Sequence, residues 1–189
     1  ENLLKRRDNA VAIIFRDEMA RERQISFKEL AATVSRLQQA LKAAGVGKGD
    51  RVAGYMPNMP ETLIGALATA SLGAIWSSAS PDFGVQGVVD RFGQIDPKVL
   101  ITVDGYFYNG KVVDVLSKLA EVQPRIPSIR QTIVVPFANE TPAIDTLPNT
   151  VTLEQALKPF AAAEPVFERV SFNHPLFIMF SSGTTGAPK

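Results

Sequence analysis

The chain has 189 residues, 46% of them apolar and 21% charged, which excludes a disordered tail and favours a single packed domain. With 20 Lys and Arg against 19 Asp and Glu, the net charge of +1 gives no electrostatic footing for nucleic acid or an anionic membrane. The absence of cysteine and the presence of one histidine, His174, exclude a disulfide framework, a thiolate or multi-histidine metal site and a cysteine nucleophile.

Residues 10–15 (AVAIIF) are apolar and β-branched, which predicts a strand. Ser26-Phe-Lys-Glu29 is a capping box: the serine accepts an orphan backbone N–H and the glutamate reaches back to the cap. Leu30, Val34, Leu37 and Leu41 follow at helical spacing, and Gly45 stands where a left-handed residue ends a helix. Residues 27–44 are therefore expected to be helical. Residues 51–56 (RVAGYM) predict a strand stopped by Pro57. Residues 61–72 predict a helix whose small residues Gly65, Ala66, Ala68 and Ala70 suit close packing on a sheet. A strand is expected at 74–78. Pro81-Asp82 then opens a helix carrying Val85, Val88, Val89, Phe92 and Ile95, closed by Pro97.

Residues 99–103 predict the next strand, 111–122 a helix with Val112, Val115, Leu116 and Leu119 on one side, and 131–135 a further strand. Residues 137–150 are polar and turn-rich, the expected long surface loop. Thr152-Leu-Glu-Gln155 opens a short helix. Residues 176–180 (LFIMF) predict a last buried strand running into Ser181-Ser-Gly-Thr-Thr-Gly-Ala-Pro-Lys189.

Strands alternating with helices predict the α/β class: a mostly parallel βαβ sheet covered by helices on both faces, with right-handed crossovers. No internal repeat or low-complexity tract interrupts it. The most apolar stretch, residues 63–76, is 14 long and contains Thr69 and Ser71, short of the roughly 20 residues a spanning helix needs. The N-terminal Glu1-Asn-Leu-Leu-Lys-Arg-Arg-Asp8 has no apolar signal core. With the lack of cysteine, this gives the expectation of a cytoplasmic protein without a membrane partner. The chain begins with Glu1, not Met, and ends in a glycine-rich segment. It is therefore expected to be a piece of a longer protein, for instance one cut by a trypsin-like protease at Lys189.

Three glycine-rich segments bear on phosphate chemistry. Gly45-Val-Gly-Lys-Gly49 follows a helix and precedes a strand, the reverse of a dinucleotide fingerprint, so it reads as a helix stop. The turn Met56-Pro-Asn-Met-Pro60 is not glycine-rich either, which argues against a standard nicotinamide or flavin site. Gly105-Tyr-Phe-Tyr-Asn-Gly-Lys111 offers aromatics and a lysine in a loop between a strand and a helix; an ordinary surface loop is the simpler reading. Residues 181–189 place four hydroxyls, two glycines and a lysine directly after a strand. Glycines let backbone N–H groups converge on an anion, hydroxyls donate without bulk, and a lysine supplies a point charge. The spacing is not the Walker pattern, and composition alone would also fit a flexible linker. His174, before Pro175, reads as a strand-entry residue with a local hydrogen bond rather than a general base. Asp90 and Asp96 read as a solvated face.

Phe180-Ser-Ser-Gly-Thr-Thr-Gly-Ala-Pro-Lys189 resembles the phosphate-binding signature of the adenylate-forming superfamily, which includes acyl-CoA synthetases, nonribosomal peptide adenylation domains and luciferases. Ile25-Ser-Phe-Lys-Glu-Leu30, Val46-Gly-Lys-Gly-Asp-Arg-Val-Ala53 and Pro57-Asn-Met-Pro-Glu-Thr62 are similar to that superfamily's N-terminal segments, so the resemblance covers nearly the whole chain. Trp76-Ser-Ser-Ala-Ser-Pro-Asp-Phe-Gly84, Arg91-Phe-Gly-Gln-Ile-Asp-Pro-Lys98 and Val103-Asp-Gly-Tyr-Phe-Tyr-Asn-Gly-Lys111 look most like its acetoacetate-activating branch.

The resemblance implies an ATP-dependent ligase. An acid, here acetoacetate, attacks the α-phosphate of Mg-ATP, pyrophosphate leaves, and the acyl-adenylate passes its acyl group to CoA. By family correspondence Ser181, Ser182, Thr184, Thr185 and Lys189 face the β- and γ-phosphates, and Gly183 and Gly186 permit the turn. Lys111 falls where related synthetases place an arginine on a CoA phosphate; a lysine there gives up bidentate recognition. The resemblance also implies that residues 1–189 are an incomplete N-terminal adenylation domain. The acyl pocket, the adenine contacts, the Mg2+-binding acid and a C-terminal lid domain follow later in the family's chains. No residue here is then expected to be catalytic or to bind metal by itself. The chain alone is expected to be inactive and to bind ATP weakly or not at all. Acetate or propionate as the acid, and a non-catalytic α/β binding module, remain alternatives.

Overall fold

Apolar β-branched runs supply the strands of one parallel sheet, and the computed structural model, which describes residues 1–181 and 188–189, is built around it. An antiparallel hairpin comes first, β1 (Val11–Arg16) and β2 (Glu22–Ser26), followed by α1 (Phe27–Ala43). Then come β3 (Arg51–Tyr55), α2 (Pro60–Ser71), β4 (Ile75–Ala79), α3 (Val85–Phe92) and β5 (Val99–Val103). A second hairpin, β6 (Gly105–Tyr108) and β7 (Lys111–Asp114), leads into α4 (Leu116–Val122). β8 (Gln131–Val135), β9 (Thr150–Thr152) and α5 (Leu153–Leu157) complete the regular elements.

The central sheet has the order β4-β3-β5-β8-β9, and every neighbouring pair is parallel. By order of entry into the sheet this is 2-1-3-4-5, a doubly wound arrangement whose direction reverses between β3 and β5. Right-handed crossovers put α2 and α3 on opposite faces. α1 packs on α2 and α5, and α3 packs on α4. The α/β class expected from strand–helix alternation is the one observed.

Local chemistry explains the long helix. Ser26 Oγ accepts the Glu29 N–H at 3.2 Å, and Glu29 Oε2 accepts the Ser26 N–H at 2.8 Å, closing the capping box. At the other end Gly45 has φ +82°, and the Val46 N–H reaches the Leu41 carbonyl at 3.0 Å. The first glycine-rich segment is thus a helix stop.

The sheet is tight where glycine allows it. The Trp76 indole on β4 lies across Gly54 on β3 and under Gly65 on α2, where an added Cβ would come within 2.9 Å of the ring. Gly65 also faces Ile101 of β5. The small residues of α2 therefore do pack closely on the sheet.

After α5 the chain crosses the α1–α2 layer as an irregular strap. α1 holds it with polar side chains: Arg36 donates to the Phe160 and Leu157 carbonyls, and Ser35 Oγ accepts the Ala163 N–H. The Gln38 amide accepts the Val166 N–H at 3.1 Å and donates to the Val166 carbonyl at 2.5 Å. The strap then bonds Glu168 N–H to the Ser71 carbonyl and reaches the outer edge of β4 through a parallel bridge between Trp76 and Phe177.

Three expectations are corrected, and one strand was not foreseen. Residues 111–114 are not helical; they form β7, because Asn109 (φ +51°) and Gly110 (φ +71°) make the two-residue turn that matches strand twist. Asp114 then caps the shortened α4, accepting the Leu116 and Ser117 N–H groups. β2 is a polar, largely exposed strand, so alternation gave no signal for it. α3 begins at Val85, not at Pro81-Asp82, because the Pro81 and Phe83 carbonyls are taken by side chains. Residues 176–180 are not a buried strand: one bridge joins them to β4, and Phe177 and Met179 are 50% and 86% exposed. β4 is their one sheet neighbour among the described residues.

Gly54→Ala drives a methyl into the Trp76 indole and is expected to cost about 1–3 kcal/mol of unfolding free energy. Gly87→Ala, in α3 with only ordinary contacts at 3.5 Å, is expected to be neutral or stabilising. Urea denaturation of both variants measures the contrast.

Candidate functional site

All five parallel strands point their carboxyl ends to one edge, where open α/β sheets hold ligands. On that edge lie residues 56–59, the loop 80–84, Asp104, residues 137–139 and the end of the strap. A single parallel bridge, Trp76–Phe177, brings the end of the strap to the outer edge of β4.

Ser181 and Lys189 meet as a reciprocal backbone pair. The Ser181 N–H donates to the Lys189 carbonyl at 2.8 Å, and the Lys189 N–H donates to the Ser181 carbonyl at 3.3 Å. Ser181 Oγ adds a bond to the Lys189 carbonyl at 3.2 Å. Both residues are exposed. The structure thus brings together the first and last of the sequence-predicted phosphate residues. Ser182, Gly183, Thr184, Thr185 and Gly186 lie outside the described residues.

The loop 80–84 is fixed by side chains from four elements. The Tyr55 hydroxyl shares its proton between the Pro81 and Phe83 carbonyls at 3.1 and 2.5 Å. Tyr106 OH and Ser80 Oγ donate to the two carboxylate oxygens of Asp82 at 2.6 and 2.7 Å. Lys118 Nζ donates to the Pro81 carbonyl at 2.9 Å, and the Arg91 guanidinium lies 4.0 Å over the Phe83 ring. The Tyr106 and Ser80 bonds hold the Asp82 carboxyl below its ordinary value. Burial, helped by the Asp82 charge, pushes the Tyr55 phenol up to about 12. Burial, then the Asp82 bond, raises Tyr106 as well. Both tyrosines therefore stay protonated donors at neutral pH.

Asp104, buried at the end of β5, accepts the Phe137, Ala138 and Asn139 N–H groups at 2.6, 3.0 and 2.7 Å. It fixes the turn after β8 rather than facing a ligand.

Lys111 lies across the β6–β7 hairpin from Tyr108, and both are exposed. The hairpin is itself pinned. Glu18 Oε1 accepts the Asn109 N–H at 2.8 Å, and the Arg21 guanidinium sits 4.6 Å over Phe107 and 5.0 Å over Phe137. Lys111 belongs to this ribbon and does not join the Ser181–Lys189 pair. His174 Nε2 donates to the Gly73 carbonyl at 2.8 Å, a partner 101 positions away at the end of α2 rather than the local one expected. Asp90 accepts from Gln86, and Asp96 occupies a turn with φ +48°. Among the described residues no three His, Asp or Glu side chains gather to hold a metal ion.

Size does not mark the site. A hollow of about 720 Å³ lies at the opposite end of the sheet, beside Arg130, Gln131 and Thr150, which lead into β8 and β9. A smaller hollow of about 200 Å³ lies over the reversal between β3 and β5, lined by Pro57, Asn58 and Tyr106, with the β1–β2 tip folded over it.

Residues 1–189 match the family described as AMP-binding enzyme. The chain belongs to the AMP-binding enzyme family. Among AMP-binding relatives, it is 55% identical over 190 residues to an acetoacetyl-coenzyme A synthetase of Rhizobium meliloti (strain 1021), covering 100% of this chain and 29% of that protein. An acetoacetyl-CoA synthetase of Gallus gallus is 45% identical over 196 residues, with 100% of this chain and 29% of that protein covered. A solved structure of acetoacetyl-CoA synthetase from Streptomyces lividans superposes with a TM-score of 0.89 at 41% identity, covering 98% of this chain and 28% of that one. The chain thus spans 29% of the length of these curated AMP-binding relatives. No helix among the described residues is long and apolar enough to cross a membrane.

Sequence reasoning missed the Tyr55–Asp82–Tyr106 clamp and Gln94, whose amide bonds the Pro188 carbonyl at 3.0 Å. The Ser-Pro-Asp run at a strand's carboxyl end was the available signal, since it marks a turn with a free carboxylate.

Asp82 has a lowered folded value, so the stability it contributes is complete above the ordinary carboxylate range. That stability is lost as pH falls through the lowered value. Tyr106→Phe removes the largest cause of the lowering. The Asp82 carboxyl carbon is then expected to titrate at higher pH in a 13C NMR titration; an unchanged midpoint would refute the clamp.

Proposed function

We propose that residues 1–189 are an incomplete N-terminal adenylation domain of an acid–CoA ligase (AMP-forming) that makes acetoacetyl-CoA from acetoacetate, ATP and CoA. The whole-chain likeness to acetoacetyl-CoA synthetase, at 55% identity, carries this reading. The pairing of Ser181 with Lys189 at the carboxyl edge supports it.

The reaction has two displacements. A carboxylate oxygen attacks the α-phosphorus, the α–β phosphoanhydride bond breaks and pyrophosphate leaves. The thiol sulfur then attacks the acyl carbon and AMP leaves. In the first step charge grows on the departing pyrophosphate, and preorganised donors there are worth about 3 kcal/mol each by analogy with oxyanion donors. The Lys189 ammonium supplies a positive charge, and the amides and hydroxyls of Ser182, Gly183, Thr184, Thr185 and Gly186 are assigned to the same oxygens by family correspondence. Ser181 Oγ is bonded to the Lys189 carbonyl, so its part is to close the base of this segment as well as to face phosphate. The exposed Lys111 is assigned to a CoA phosphate. Mg2+ neutralises phosphate charge when bound. Among the described residues no three His, Asp or Glu side chains gather to hold it. The compartment is taken to be the cytoplasm.

Acid-dependent ATP–pyrophosphate exchange by the complete gene product, across acetate, propionate, butyrate and acetoacetate, tests the reading. Exchange is expected to be strongest with acetoacetate. Strongest exchange with another acid would keep the mechanism and reject the substrate, and no exchange with any acid would reject the ligase. The 189-residue chain by itself is expected to form no thioester above blank in the same mixture.

A further inference from the structure

The peptide unit between Pro188 and Lys189 is held from both sides. Its N–H donates to the Ser181 carbonyl at 3.3 Å. Its C=O, that of Pro188, accepts from Gln94 Nε2 at 3.0 Å. A peptide is planar, so fixing both groups fixes the plane, and with it where the Lys189 Cα stands. Proline has no N–H of its own and a locked φ, so this carbonyl is the one polar backbone group by which residue 188 can be held.

Gln94 is suited to that task. Its amide nitrogen carries two hydrogens. One bonds the Asp90 carbonyl at 2.5 Å, four residues back, and orients the side chain along the end of α3. The other is free to reach Pro188. The opposite end of α3 follows the loop 80–84, which Tyr55, Tyr106 and Lys118 hold. The helix is thus anchored at its start and carries a donor beyond its end. Gln94 is exposed, so no packing requirement explains a carboxamide there.

We propose that Gln94 is a positioning residue for Lys189: by holding the Pro188 carbonyl it registers the phosphate-facing lysine on helix α3. The inference rests on the phosphate role assigned to Lys189 above.

The test uses the complete gene product with Gln94→Met, which keeps the side chain's size and neutrality and removes the donor, and Gln94→Ala as a second variant. In acid-dependent ATP–pyrophosphate exchange, KM for MgATP is expected to rise about fivefold, the loss of one ordinary hydrogen bond. KM for the acid is expected to stay within about twofold, while kcat falls as well because Lys189 offsets the charge growing on the departing pyrophosphate; general loosening of the fold would raise the acid's KM too. Unchanged KM for MgATP in both variants of an exchanging enzyme would overturn the inference and leave the functional reading intact. Amide hydrogen exchange at Lys189 is read on the same proteins and does not depend on activity. Faster exchange in Gln94→Met is expected; an unchanged rate would overturn the inference even if the parent proved not to be a ligase.

Discussion

The side-chain amide of Gln38 does the work of a neighbouring strand. It accepts the N–H and donates to the C=O of one residue, Val166, as a sheet partner would. The strap from Leu157 to Ser181 has no ladder of its own until it reaches β4, and a backbone crossing a packed layer must find partners for its polar groups. Ser35, Arg36, Gln38 and Gln39 on α1 provide them, and Ser71 takes over at the end of α2. This crossing carries the chain from the β9 side of the sheet to the β4 side. Without it the chain would not reach β4 through the Trp76–Phe177 bridge, four residues before the Ser181 that pairs with Lys189.

Helix α3 is the second support. Two tyrosines kept protonated by burial and by the Asp82 charge, with Lys118, fasten the loop before it. All three donors reach groups on one short segment, Pro81 to Phe83. The candidate phosphate segment and the Lys111 ribbon are thus tied to one framework. Tyr106 belongs to the ribbon and grips the loop that leads into α3, and two residues beyond the end of α3 stands the glutamine that meets Pro188.

Much of this was legible in the residues. The Ser26–Glu29 box and Gly45 bracket α1 as expected, and the near-continuous apolar runs gave β3, β4, β5 and β8 to within a residue. These signals are local: caps, breakers and β-branched runs act within a few residues. What escaped depends on distant partners. Residues 111–114 have an apolar pattern that suits helix or strand, and the Asn-Gly turn decided for strand. β2 is polar because one of its faces is open, so it lacks the pattern of a core strand. At residues 176–180 composition spoke of burial, but burial needs a second neighbour, and β4 is the one they have among the described residues. The polar face of α1 looked like a face for water, and nothing in its spacing said that a strap would use it. In the candidate site, the residue types around Ser181 and Lys189 were readable from glycine, hydroxyl and lysine alone. The clamp beneath them was not, since it joins residues 24 positions apart.

The segment 176–180 turns alternate backbone groups toward β4, through the Leu176 carbonyl and the Ile178 N–H. By the alternation of a strand, the N–H and C=O groups of Phe177 and Met179 face the other way, beside large apolar side chains and without charge to guard them. Lys189, returning antiparallel to Ser181, already begins a ladder along that side. Such a margin is adhesive to any strand that meets it, including the same margin on another copy. A polypeptide consisting of these 189 residues alone therefore carries its own route to self-association. Capping that margin is expected to curb self-association more than changing the chain's nearly balanced net charge of +1 would.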